Sequence, residues 1–156
     1  SRRSGDIGDL MRVADGGGTP MGDKGTTAPF GNIDKSFDIC KLAEGAGATY
    51  VARSTAYHAK QMTDYVKKGI QHKGFALIEG MSTCPTYYGR KNKKGGAVEL
   101  LEGLKNTFVD IKVKDKLAPE KLEGKLFMGE FKNTIEPEYN EQYNKIMEMF
   151  SAGRDE

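Results

Sequence analysis

The passage that most restricts how this chain can fold is residues 75–90. It opens with Phe75-Ala76-Leu77-Ile78-Glu79, then passes through Gly80-Met81 into a loop reading Ser82-Thr83-Cys84-Pro85-Thr86-Tyr87-Tyr88-Gly89-Arg90. A short apolar run without polar alternation fits a strand covered on both faces, the type found in parallel sheets. In open α/β sheets, ligands collect at the loops that leave the carboxyl ends of such strands. Cys84 is delivered to that place. Two readings of its thiol stand open: an ordinary loop cysteine, or a ligand to a metal or cluster whose other ligands lie elsewhere.

The chain before this strand has the rhythm helix, strand, helix. Phe37, Cys40, Leu42 and Ala43 fall on one face of a helix that Gly45 and Gly47 end. Cys40, among apolar neighbours, reads as a small core residue. Residues 48–53 are β-prone. Ser54 or Thr55 can cap a helix over 56–73, whose Ala59, Met62, Tyr65, Val66 and Ile70 follow amphipathic spacing until Gly74 stops it. This alternation predicts a three-layer α/β fold, with a mostly parallel sheet flanked by helices and right-handed crossovers. Past the loop, a basic turn covers 90–96. A helix follows with Val98, Leu101, Leu104 and Phe108 on one face. Residues 110–125 read as a charged surface connection, 126–131 as a strand, and Glu136-Pro137 as the opening of a last helix. The stripe Tyr139, Tyr143, Ile146, Met147 and Phe150 on that helix reads as docking surface or core.

Composition excludes several classes. The chain has 156 residues, about one domain, and a net charge of +2, too weak to argue for nucleic acid. No apolar run approaches the ~20 residues of a membrane span, and the polar start is not a signal peptide. Two distant cysteines make no disulfide framework, so a cytoplasmic setting is expected. They also cannot form a metal site alone, since structural zinc takes about four ligands and an iron–sulfur cluster usually about four thiolates. His58 and His72 sit near lysines and read as solvated. Residues 1–33 form a glycine-rich leader, poorly ordered or covering a cofactor. A phosphate cradle would need a strand before the glycines and a helix after, and neither is visible.

Three stretches carry a family resemblance. They are Thr26-Thr27-Ala28-Pro29-Phe30-Gly31-Asn32-Ile33-Asp34, Gly45-Ala46-Gly47-Ala48-Thr49-Tyr50-Val51-Ala52-Arg53, and Ser82-Thr83-Cys84-Pro85-Thr86-Tyr87-Tyr88-Gly89-Arg90-Lys91-Asn92. Together they resemble the C-terminal half of the thiamine-diphosphate-binding beta subunit of 2-oxoacid:ferredoxin oxidoreductases, nearest to the 2-oxoglutarate (2-ketoglutarate) type. The resemblance covers roughly residues 19–150. It divides the chain into the leader (1–33), the C-terminal half of a thiamine-diphosphate-binding α/β domain (34–92) and a small C-terminal α/β extension (93–156).

The resemblance implies oxidative decarboxylation of a 2-oxoacid to an acyl-coenzyme A. The implied cofactors are thiamine diphosphate, Mg2+ and a [4Fe–4S] cluster that passes electrons to ferredoxin. The implied partners are the alpha subunit, ferredoxin, the 2-oxoacid and coenzyme A, with no nucleic acid and no membrane. By resemblance, Cys84 is one iron ligand of the intact subunit, Thr19, Thr26 and Thr27 lie at the cofactor, and Arg90, Lys91 and Asn92 face substrate or partner. The family's Cys-x-x-Cys pair and its acidic glycine motif for Mg2+ and diphosphate are missing here, and residues 1–18 do not match. The chain therefore reads as part of a longer subunit, inactive alone and binding no cofactor unaided. The competing reading is a non-catalytic α/β interaction module.

Overall fold

The computed structural model describes residues 38–90 and 93–152. Helix α1 (Ile39–Gly45) begins where the Asp38 carboxylate accepts the Lys41 backbone N–H, the usual way of satisfying a first-turn donor. Strand β1 (Tyr50–Thr55) follows, then a single 3-10 turn (Ala56–His58) and helix α2 (Ala59–Gln71). Gly74 has φ +125°, and a Cβ there would run into the Thr49 hydroxyl, so only glycine turns the chain at this point. Strand β2 (Ala76–Met81) leads to a π-turn (Pro85–Gly89). Helix α3 (Ala97–Thr107) is opened by Glu99, whose Oε2 accepts the Gly96 N–H at 2.8 Å. Strand β3 (Phe108–Asp110), a 3-10 turn (Ile111–Lys116) and the short helix α4 (Pro119–Leu122) come next. Strand β4 (Leu126–Asn133) and helix α5 (Tyr139–Ala152) complete the described chain.

The sheet order is β2-β1-β4-β3. β1 runs parallel to β2, with Tyr50 opposite Ala76 through Thr55 opposite Met81, and β3 runs parallel to β4. The β1–β4 pairing is antiparallel and carries an irregularity between Val51 and Ala52. Two of the three pairings are thus parallel, and the sheet is mixed because β4 returns from the C-terminal part of the chain into its middle. On one face Val51 packs with Cys40, Ala43 and Ala48, flanked by Leu77 and Phe131. On the other, Tyr50, Ala52 and Tyr65 pack with Ala76 and Ile78. Met81, Leu104, Phe108 and Met128 form a third cluster. Cys40, at 1% exposure, is the small core residue expected.

Several local expectations are corrected. Ser54 and Thr55 are fully buried strand residues; Thr55 does stand at the N-cap of the 3-10 turn that follows, but its side chain makes no capping hydrogen bond. Leu42 points outward, as do Val66 and Ile70 on α2, where Tyr65 is the buried anchor. On α3 the inward face is Leu100 and Leu104, while Val98 and Leu101 are exposed and Phe108 begins β3. Residues 110–125 hold two helical turns where a plain connection was expected. The α5 stripe is exposed throughout, so it is surface and not core.

Candidate functional site

β2 is the edge of the described sheet, and its carboxyl end leads directly to Cys84. The cysteine is exposed. Its backbone carbonyl accepts two N–H groups, from Tyr88 and Gly89, each at 3.0 Å, and Arg90 N–H donates to the Pro85 carbonyl at 3.0 Å. These bonds wind Pro85–Gly89 into a π-turn, a geometry met often at functional sites. The turn is seated on α3. A Cβ on Gly89 would lie 2.7 Å from Leu100 Cδ1 and 3.2 Å from the Gly95 carbonyl oxygen. Glycine is needed there for close approach, and that approach fixes where the loop sits.

The structure thus places Cys84 in the loop at the carboxyl end of the strand, as the sequence suggested, and adds that this strand is at the edge of the described sheet, with Arg90 exposed at the end of the same turn. Lys91, Asn92, Thr19, Thr26 and Thr27 lie outside the described residues, so their expected roles stay expectations. Among the described residues no group of three or more His, Cys, Asp or Glu side chains could hold a metal ion. His58 is hydrogen-bonded to the Thr55 hydroxyl at 2.8 Å, and His72 to that of Thr49 at 2.8 Å. Both are half-buried where solvation was expected. Burial pushes His58 below the ordinary histidine range, with the Lys105 charge adding to that and Asp110 opposing it.

Sequence reasoning missed a half-buried ion cluster just upstream of the loop. Arg53 of β1 stands opposite Glu79 of β2, and its Nε donates to Glu79 Oε2 at 2.6 Å. Its Nη2 donates to Asp38 Oδ1 at 2.6 Å and its Nη1 to the Phe127 carbonyl at 3.3 Å. The guanidinium also lies over the Phe131 ring, 5.4 Å from its centroid. The Cys40 thiol donates to Glu79 Oε2 at 3.2 Å. Burial pushes the Cys40 thiol well above its ordinary range, although the Arg53 charge pulls the other way. Cys40 is therefore a neutral hydrogen-bond donor and not a nucleophile. Burial also works against the Arg53 charge, while Glu79 and Asp38 beside it favour the protonated guanidinium. A signal existed: an arginine and a glutamate each close an apolar run, and the two runs read as neighbouring strands.

The family model described as thiamine pyrophosphate enzyme, C-terminal TPP binding domain, matches residues 11–80. The 2-oxoglutarate synthase subunit KorB of Methanocaldococcus jannaschii is 45% identical over 134 residues, which is 86% of this chain and 50% of that protein. The subunit of the same name from Methanothermobacter marburgensis is 41% identical, over 88% of this chain and 51% of its own length. The chain thus spans about half the length of the curated relatives it matches. A solved 2-oxoglutarate:ferredoxin oxidoreductase from Magnetococcus marinus, with 2-oxoglutarate, coenzyme A and succinyl-CoA bound, shares the fold. The TM-score is 0.62 at 22% identity, covering 80% of this chain and 43% of that one. By these matches, residues 11–80 are similar to the C-terminal TPP binding domain of thiamine pyrophosphate enzymes, and most of the chain is similar to about half of the 2-oxoglutarate synthase subunits KorB.

Proposed function

We propose that this chain is part of the beta subunit of an enzyme that oxidatively decarboxylates a 2-oxoacid, 2-oxoglutarate by preference, to its acyl-coenzyme A. Electrons leave through a [4Fe–4S] cluster to ferredoxin, and Cys84 is one thiolate ligand of that cluster. The observation that carries this reading is an exposed thiol at the carboxyl end of a parallel edge strand, held by a π-turn. The donor chemistry fits: a soft thiolate suits iron–sulfur ligation. One accessible ligand per loop is what a shared cluster needs when its remaining ligands come from elsewhere in the subunit. The 41–45% identity to 2-oxoglutarate synthase subunits supports the substrate class.

Bound thiamine diphosphate would supply the carbanion stabilisation that decarboxylation needs. Thr19, Thr26 and Thr27 are the residues of this chain assigned to it, with Mg2+ held by the rest of the subunit. Arg90, Lys91 and Asn92 would face the anionic substrate or the acidic ferredoxin, where positive charge speeds encounter. The alpha subunit completes the enzyme, which works in the cytoplasm. The test is Cys84→Ser in the full-length beta subunit purified with its alpha partner. Loss of the low-temperature electron-spin resonance signal of the reduced cluster is expected, and a signal of unchanged size and shape would refute the assignment.

A further inference from the structure

The half-buried ion cluster has no place in the chemistry above, and it ties together three elements of a small sheet. Removing charges from water costs several kcal/mol per ion, and a well-packed apolar pair is often as stable. Yet Arg53 and Glu79 have side chains only 11% and 17% exposed. What ionic contacts offer over apolar ones is direction. The planar fork of Arg53 makes hydrogen bonds along three of its N–H directions at once, to Glu79 on β2, Asp38 at the start of α1 and the Phe127 carbonyl on β4. The contacts on the carboxylate are equally committed, since Glu79 Oε2 takes the Arg53 Nε–H and the Cys40 thiol together. β2 is paired with β1 from Ala76 to Met81, and among the described residues it has no strand on its other side, so the Arg53–Glu79 contact reinforces its one paired edge. Glu79 lies five residues before Cys84 on that strand.

We propose that Arg53 and Glu79 are positioning residues that fix the carboxyl end of β2 and thereby hold the Cys84 thiolate at its iron. This inference rests on the reading of Cys84 as a cluster ligand. Lysine cannot replace Arg53 in this role, because one ammonium at the end of a flexible stem does not reproduce a rigid three-way fork. Outer-shell partners of metal ligands commonly change metal affinity about 10–100-fold when altered.

The test uses the full-length beta subunit with its alpha partner, prepared anaerobically, and measures the rate of iron loss to a chelator far below the melting temperature. Arg53→Lys and Glu79→Gln are each expected to raise that rate about tenfold and to broaden the spin-resonance signal of the reduced cluster. Tyr50→Phe is the control. It removes a hydrogen bond of 3.1 Å to Glu130 on the opposite face of β1, and is expected to leave iron retention unchanged. Should Arg53→Lys fail to assemble, Glu79→Gln decides alone. The proposal is overturned if both variants hold iron at the wild-type rate, or if Tyr50→Phe releases it as fast as they do. A cluster that survives Cys84→Ser would instead sink the underlying ligand assignment, so the two failures are distinguishable.

Discussion

Gly89→Ala tests whether close approach of the π-turn to α3 sets the loop's position. Gly89 is absent from the glycines with positive φ, so alanine is allowed there on backbone grounds. Restricting the unfolded chain would by itself stabilise by about 0.5–1 kcal/mol. Against that stands the new methyl, 2.7 Å from Leu100 Cδ1 and 3.2 Å from the Gly95 oxygen. Leu100 is 4% exposed and cannot swing into solvent. Overpacking of this kind costs about 1–3 kcal/mol. The steric cost wins over most of these ranges, and the expected net loss is at most about 2.5 kcal/mol. Leu100→Ala alone should cost about 2–5 kcal/mol by opening a cavity. In the double variant the methyl occupies part of that cavity, so the two losses should fall short of additive by about 1–2 kcal/mol. Urea unfolding of the four proteins completes the cycle. Additivity within about 0.5 kcal/mol, or a Gly89→Ala protein more stable than wild type, would refute the reasoning.

Two further outcomes are expected. Burial alone would raise the Glu130 carboxyl, but hydrogen bonds from Lys68, Asn133 and Tyr50 outweigh it and hold Glu130 below the ordinary range. Its stabilisation is therefore present above the unfolded value of about 4.3 and fades as pH falls through the lower folded value. Tyr50→Phe removes one of these donors, so the melting-temperature gap between wild type and variant should narrow on acidification; a constant gap would count against it. The Lys73–Glu141 pair spans 2.5 Å between two well-exposed side chains, and Lys73→Ala should leave the urea midpoint unchanged within error; a clear drop would count against this.

The parts of the fold that could be read from sequence were those where one physical signal dominated. The runs around Val51 and Leu77 became neighbouring parallel strands, but only the first is covered on both faces as expected; residues 76–79 are half-buried and Phe75 lies exposed before the strand. Cys40 and Cys84 separated correctly into buried and exposed, since one sat among apolar helix residues and the other beside Pro85. Errors arose where signals competed. Ser54 and Thr55 look like helix caps by residue type, but strand pairing claimed both and buried them. On α3, Leu100 and Leu101 are adjacent leucines, and periodicity alone could not choose which faced inward. The pairing of β4 with β1 joins residues some eighty positions apart, and no local pattern encodes it. The Arg53 cluster left only a partial trace, a charge closing each of two runs read as neighbouring strands, and its contacts to Asp38 and the Phe127 carbonyl appear only when the fold brings them together.

The place of β4 has a consequence for synthesis. It comes from the last quarter of the sequence, yet it lies between β1 and β3. While residues 126–133 are still within the ribosome, β1 has been made with one hydrogen-bonding edge bare and Val51 and Phe108 without their final neighbours. Pairings this distant in sequence form slowly, and an open apolar edge invites other chains. A nascent chain stalled before Leu126 should therefore be the most aggregation-prone species on the way to the native sheet.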